Sequence, residues 1–158
     1  QIIEEIPTAR LVIIGFGPQK DPLEKQIQKL GLTSHVSLIG GKKGQELREW
    51  FATADIFIGP SIVTPDGDTE GQGVVFLEAM ASGKPVIAYG AGGALETVKS
   101  GETGEFFYEQ TSESLEELLK IFDQDTYDPY KCRKQARKFE KSRFLAFVKA
   151  FVCENALQ

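Results

Sequence analysis

The chain has a single histidine and two cysteines in 158 residues. His35, at the start of an apolar run after a turn, reads as a surface or turn residue rather than a catalytic base. Cys132 and Cys153 have neither metal-ligand nor redox spacing, which leaves out a zinc site and a dithiol active site and predicts a reduced pair in a reducing compartment. No apolar run approaches the ~20 residues of a membrane span. No stretch reads as a signal peptide, and there is neither an internal repeat nor a low-complexity linker. Together these absences predict a cytoplasmic globular chain. The first residue is Gln1 and "QIIEEIP" reads like the tail of a helix, so a fragment is expected.

What is present is ordinary in amount and uneven in placement. The chain is 41% hydrophobic and 26% charged, enough for one domain with a core. The net charge of −5 conceals an asymmetry: of 18 basic residues, Lys131, Arg133, Lys134, Arg137, Lys138, Lys141, Arg143 and Lys149 lie in the last 28 positions, beside only Glu140 and Glu154. A solvated helix face explains such a tail. Peripheral contact with the inner, anionic face of a membrane is the sharper alternative. The acidic remainder argues against nucleic acid.

Apolar runs and glycine punctuation alternate five times. "RLVIIG" (10–15), "HVSLIG" (35–40), "DIFIGPS" (55–61), "PVIAY" (85–89) and "GEFFY" (104–108) read as strands, the first of them buried. Helices are predicted over 21–31, 44–54, 71–82, 94–101 and 112–122, the last capped by Thr111 or Ser112, with two more near 130–139 and 142–156. Such alternation specifies an α/β fold, a Rossmann-like parallel sheet of about five strands with helices on both faces. Ligands of these sheets sit at the carboxyl ends of the strands. Here those ends are Gly15–Pro18, Gly40–Gly44, Pro60–Glu70 and Gly90–Gly93, all glycine-rich or polar.

The stretch "TEGQGVVFLEAMASGKPVIA" (69–88) carries the chemistry. Gly71 and Gly73 are expected to open a helix whose free N–H groups suit a phosphate. Glu70 and Glu78 flank that site. A carboxylate accepts two hydrogen bonds from a vicinal diol, so the pair suits hydroxyl groups on either side of a phosphate. Eight helical residues rise about 12 Å, roughly the span from ribose to hexose in a nucleotide sugar. That exceeds the roughly 5 to 9.5 Å between the carboxylates of a glycosidase. The plain alternative makes Glu70 a helix-start charge and Glu78 a surface residue.

Five segments in order then carry a resemblance. "RLVIIGFGPQKDPLEKQIQKLGLTSHVSLIGG", "WFATADIFIGPS", the Glu70-x7-Glu78 pair, "EAMASGKPVIA" and "GGALETVKSGETGEFF" resemble the retaining, nucleotide-sugar-dependent glycosyltransferases of the GT-B fold, specifically glycosyltransferase family four. The resemblance implies that residues 1–158 are the C-terminal donor-binding domain of such an enzyme. It gives Glu70, the candidate catalytic residue, contacts to donor-sugar hydroxyls and Glu78 the ribose diol. Backbone amides at Gly71, Gln72, Gly73 and Val74 would meet the sugar and diphosphate. Main chain at Ile39 and Gly40 would edge the base, and Gly15 and Gly17 would lie near the nucleotide, a plain strand-to-helix turn being the alternative for those two. The donor would be a UDP-, GDP- or ADP-sugar, with no cofactor and no metal.

Two departures go with it. The family opens this domain with a strand and a "G-R-L-x-x-x-K-G" segment whose arginine and lysine neutralise the departing diphosphate. This chain begins after that segment, and the acceptor-binding N-terminal domain is outside it, so the chain is expected to be N-terminally truncated and not competent for transfer alone. Lys42 and Lys43 read as surface loop residues, not substitutes. With the first strand missing, "RLVIIG" and "DIFIGPS" are expected to pair directly or to draw in another chain. Asp66-Gly67-Asp68 matches the D-x-D metal motif of a different glycosyltransferase fold, but within this pattern it is expected to be a polar loop bordering the sugar pocket; a calcium loop fits worse still for want of further ligands. Glu96 reads equally as a helix-start charge or as a pocket-lining residue. The rival functions are a non-catalytic nucleotide-sugar-binding module and a GT-B-fold nucleotide-sugar epimerase.

Overall fold

A computed structural model describes residues 2–67 and 69–155. A short helix α1 (Ile2–Glu5) precedes β1 (Leu11–Ile13), α2 (Lys20–Lys29), β2 (Val36–Leu38), α3 (Gly44–Thr53) and β3 (Phe57–Gly59). Then come α4 (Val74–Ala81), β4 (Val86–Tyr89), α5 (Ala94–Thr97), β5 (Gly104–Phe107) and α6 (Ser112–Ile121). A 3₁₀ turn at Gln124–Thr126, α7 (Pro129–Ala136), a second turn at Arg137–Phe139 and α8 (Lys141–Asn155) complete it. Each predicted strand and helix has its counterpart, and the end of the last predicted helix, at 156, lies outside the described residues. Thr111 is the cap of α6, its side chain accepting from the Ser114 N–H at 3.2 Å. Asp128 does the same for α7 through Tyr130, with Pro129 in the first turn.

Every strand pairing among the described residues is parallel, and the strands lie in two sheets. β1 pairs β2, and β3, β4 and β5 lie in that order. Among the described residues the recorded pairings are β1 with β2, β3 with β4 and β4 with β5, and the expected direct pairing of "RLVIIG" with "DIFIGPS" is not one of them. The chain divides accordingly into two compact units, residues 1–49 and 50–158.

The core belongs to the second unit. Phe51, Phe76, Met80, Val86, Ile87 and Val98 are buried there, and α4 packs on β3, β4, α5 and α7. Among the described residues of the first unit none is buried. The expectation of a buried first strand is therefore corrected: Leu11 is 45% and Val12 36% exposed. A two-stranded sheet with α1, α2 and the start of α3 has too little area to cover its own apolar faces.

Candidate functional site

The loop from Pro60 to Gly73 and the start of α4 carry the principal candidates, and their geometry begins at Phe76. This ring is fully buried and stands between two glycines. A Cβ on Gly59, the last residue of β3, or on Gly73 would overlap it. The ring thus sets the distance between strand end and helix start, and Phe57 meets its edge at 6.1 Å between centroids.

Gly73 has φ 65° and ψ 49°. A right-handed helix cannot include that conformation, so α4 starts at Val74, three residues later than the sequence reading placed it. Glu70 accordingly sits in the loop, and Glu78 is the fifth helical residue. The two do not cap one continuous helix, and the 12 Å helical rise does not describe their separation. Glu70 is half-buried, and its Oε1 accepts a hydrogen bond from the Gly73 N–H at 3.0 Å. Its backbone carbonyl accepts from the Gly93 N–H at 2.9 Å.

The turn at Gly90–Gly93 backs the loop by close approach. A Cβ on Gly92 would lie 2.5 Å from the Glu70 carbonyl oxygen, and one on Gly93 would overlap the main chain at Gly71 and Gln72. Gly71 itself is open, since a Cβ there would meet nothing within 4 Å. Among the described residues, the N–H groups of Gly71, Gln72, Val74 and Val75 donate to nothing in the chain. Those of Val74 and Val75 are orphan donors of the helix start, while Gly71 and Gln72 are exposed loop residues just before it. Glu78 is exposed, and its carboxylate has no hydrogen-bond or ion-pair partner among the described residues. It lines an open cleft of about 370 Å³ together with Val74, Leu77, Arg133 and Arg137. The two guanidinium groups add positive charge beside the carboxylate, a feature that the sequence pattern did not single out.

Within the first unit the other candidates also come together. The Gly15 N–H donates to the Gly40 carbonyl at 3.1 Å, the Ile39 N–H donates to Ile13 at 3.1 Å, and the Phe16 ring lies against Gly40 and Gly41. Gly17 has open space around it, and its carbonyl accepts from the Lys20 N–H at the start of α2. Lys42 is ion-paired to Glu46 on α3. Nδ1 of His35 lies 3.1 Å from the Ala9 carbonyl and 3.0 Å from Nη1 of Arg10, a structural tie.

Asp66 is fully exposed, and a hydrogen bond from Thr64 holds its carboxyl below the usual range. Asp68, the other half of the D-x-D, lies outside the described residues. Glu96 is exposed on the four-residue helix α5, whose buried partner Thr97 donates to Gly93 and accepts from Gln135 of α7. Gln110 was not foreseen either. It lies beyond β5, and its side chain accepts from the Val63 N–H at 2.8 Å while donating to the Val63 carbonyl at 3.4 Å. No periodicity or motif marks it.

Comparison with known proteins bears on the whole chain. The model of the family described as glycosyl transferases group 1 matches residues 1–139. The GDP-mannose-dependent alpha-(1-6)-phosphatidylinositol monomannoside mannosyltransferase of Mycobacterium tuberculosis strain H37Rv is 44% identical over 104 residues, which are 65% of this chain and 27% of that protein. The putative colanic acid biosynthesis glycosyltransferase WcaL of Escherichia coli K12 is 33% identical over 139 residues, 87% of this chain and 34% of that protein. The chain thus spans about a quarter to a third of the length of these curated relatives. Among solved structures, Anabaena HepE in complex with UDP-glucose superposes with a TM-score of 0.70 at 27% identity, over 95% of this chain and 41% of that one. A sucrose-phosphate synthase from Thermosynechococcus elongatus reaches a TM-score of 0.76 at 24% identity, over 99% and 41%, a likeness of fold.

Proposed function

This chain belongs to the glycosyl transferases group 1 family, with the GT-B type of α/β fold, and from that premise we propose that it is the donor-binding half of an enzyme that transfers a hexose from a nucleoside-diphosphate sugar with retention of configuration. The observation that carries this is the arrangement around Gly71: four unengaged N–H groups, an open glycine and Glu70 in the loop, followed by Glu78 as the fifth residue of α4. Main-chain donors there match a diphosphate and the hydroxyl oxygens of a hexose.

In this reading Glu70 meets the sugar. One carboxylate oxygen is held by the Gly73 N–H, which orients the group and leaves the other oxygen for a hydroxyl. Glu78 receives the ribose diol. Gly71, Gln72, Gly73 and Val74 contribute main chain to the sugar and diphosphate, while Ile39 and Gly40 edge the base and Gly15 and Gly17 lie near the nucleotide. No metal is required, because main-chain donors take the role a cation would have at the diphosphate. The acceptor site belongs to a further domain. The mannosyltransferase relative, named for GDP-mannose, makes that donor the first to try, with UDP-glucose second because HepE is bound to it. Calorimetric titration of the chain with UDP-, GDP- and ADP-sugars and with the bare diphosphates tests the proposal. Micromolar to millimolar binding of one donor is expected, and no binding across the panel would overturn it.

Peripheral contact with an anionic membrane is the proposed second partnership. Its support is α8, all of whose described side chains are exposed. At 100° per residue Phe144, Leu145, Phe147, Val148, Phe151 and Val152 fall in one arc of about 160°, bordered by Arg143 on one edge and Lys149 on the other, with Lys141 of the first turn over it. Among the described residues no helix is long and apolar enough to cross a membrane. Co-sedimentation with phosphatidylglycerol vesicles should exceed that with phosphatidylcholine vesicles, and the double substitution Phe147→Asp/Phe151→Asp should abolish it. Equal sedimentation of the two proteins would rule this contact out.

A further inference from the structure

The loop that carries Glu70 runs from Pro60 to Gly73 with no regular element among its described residues. Unstructured connections of this length are uncommon in compact domains unless they carry function, and something must hold them. Apolar packing does not hold the first half: Ile62 is 62% exposed, and Val63 and Thr64 are half-buried. The Gly67 N–H donates to the Thr64 carbonyl at 2.9 Å, a turn internal to the loop. At the far end, Glu70 is tied to Gly73 and Gly93.

The near end depends on Gln110. Its carboxamide makes two contacts with the same residue, accepting from the Val63 N–H and donating to the Val63 carbonyl. A primary amide offers one acceptor and two donors, so it can complete both main-chain groups of an extended residue as a neighbouring strand would. The two residues are 47 apart in sequence, and both contacts are solvent-exposed. The tie therefore fixes where the loop stands without contributing to the core.

We propose that Gln110 is a positioning residue for donor selection: by clamping Val63 it sets where the Glu70 carboxylate stands, and so sets the preference for a sugar-bearing donor over the bare diphosphate. This rests on the reading of Glu70 as the sugar contact. Gln110 touches no donor atom in this scheme and acts only through the loop. The ribose contact at Glu78, on a helix packed against β3 and β4, does not depend on the clamp.

The experiment uses this chain, titrated calorimetrically with GDP-mannose against GDP and with UDP-glucose against UDP, together with amide hydrogen exchange at Val63. Gln110→Ala should accelerate exchange at Val63 and lower the preference for the sugar-bearing donor about three- to tenfold, the worth of one or two neutral hydrogen bonds. Affinity for the bare diphosphate should stay within about twofold, as should the thermal midpoint within the few degrees expected of a surface change. Gln110→Glu keeps the acceptor for the Val63 N–H and loses the donor to its carbonyl, so it should fall between wild type and Gln110→Ala. An unchanged preference alongside accelerated Val63 exchange would overturn the proposal, since the clamp would then hold the loop without bearing on the sugar. Unchanged exchange would overturn it too, by removing the clamp itself. A wild-type chain that binds no diphosphate at all would instead sink the donor-site reading, and the role of Gln110 with it.

Discussion

Gly71 and Gly73 are two residues apart, and substitution should separate them completely. A Cβ on Gly71 would meet open space, so Gly71→Ala should leave thermal stability unchanged and weaken donor binding, because the added methyl stands where the donor passes. At Gly73 the φ of 65° alone costs an alanine about 1–2 kcal/mol, and the new Cβ would collide with Phe76. Gly73→Ala should therefore lower the melting temperature. Calorimetry on both variants checks the pair, and full donor affinity in Gly71→Ala would move the donor elsewhere. The glutamates divide similarly. Glu78→Ala should weaken bare diphosphate and donor alike by tenfold or more, since a hydrogen bond to a charged group contributes about 1.5–3 kcal/mol. Glu70→Ala should remove the preference for the sugar while sparing the diphosphate, but it also removes the acceptor for the Gly73 N–H. Glu70→Gln keeps an oxygen there. A Glu70→Gln protein that has lost sugar preference with an intact loop would assign the loss to charge rather than to loop collapse.

At the scale of elements, two turns hold the strand ends in place. The Gly90–Gly93 turn lies against the Glu70 loop so closely that Gly93→Ala should both destabilise the chain and abolish donor binding, read by melting and titration on one sample. The turn before β5 closes on Glu105, whose carboxylate accepts from the Ser100 hydroxyl at 2.6 Å, the Gly101 N–H at 2.8 Å and the Tyr127 hydroxyl at 3.1 Å. Burial, and after it the Glu105 charge, pushes the Tyr127 phenol up from 10.0 to about 12. The folded pKa is raised, so the stability it represents is fully present below pH 10 and is lost as pH climbs toward 12. Glu105→Gln should bring the spectrophotometric titration of Tyr127 down toward pH 10, and an unmoved titration would refute the coupling. The order of strands and helices was legible because each apolar run is short and the first four end at glycine. The start of α4 was not, because a periodicity cannot show that Gly73 is left-handed. β1 was misjudged because apolar composition states what a strand needs covered, not what covers it.

On the scale of the molecule, burial is concentrated in one unit, and this has a thermodynamic consequence. Residues 50–158 hold the whole described core, while residues 1–49 hold a two-stranded sheet with no buried side chain. A unit of that kind opens locally at low cost, so amides in β1 and β2 should exchange much faster than those in β4. The candidate residues of the first unit, Gly15, Gly17, Ile39 and Gly40, were legible as glycine-ended strands, and they meet through the Gly15 to Gly40 hydrogen bond. Their role toward a nucleotide rests on family likeness alone. A ligand that binds only the closed form stabilises it by about 2.7 kcal/mol at a hundredfold excess over its Kd. If those residues edge the nucleotide, saturating GDP-mannose or UDP-glucose should slow exchange at Leu11–Ile13 and Val36–Leu38 by up to about a hundredfold. Manganese and a chelator should each leave that protection unchanged, since no metal enters the proposed donor contacts; a gain on adding manganese would return attention to Asp66. In the Glu78→Ala protein the protection should fall in step with the lost affinity. Protection gained around α4 but not in β1 and β2 would confine donor recognition to residues 50–158 and strike Gly15, Gly17, Ile39 and Gly40 from the site.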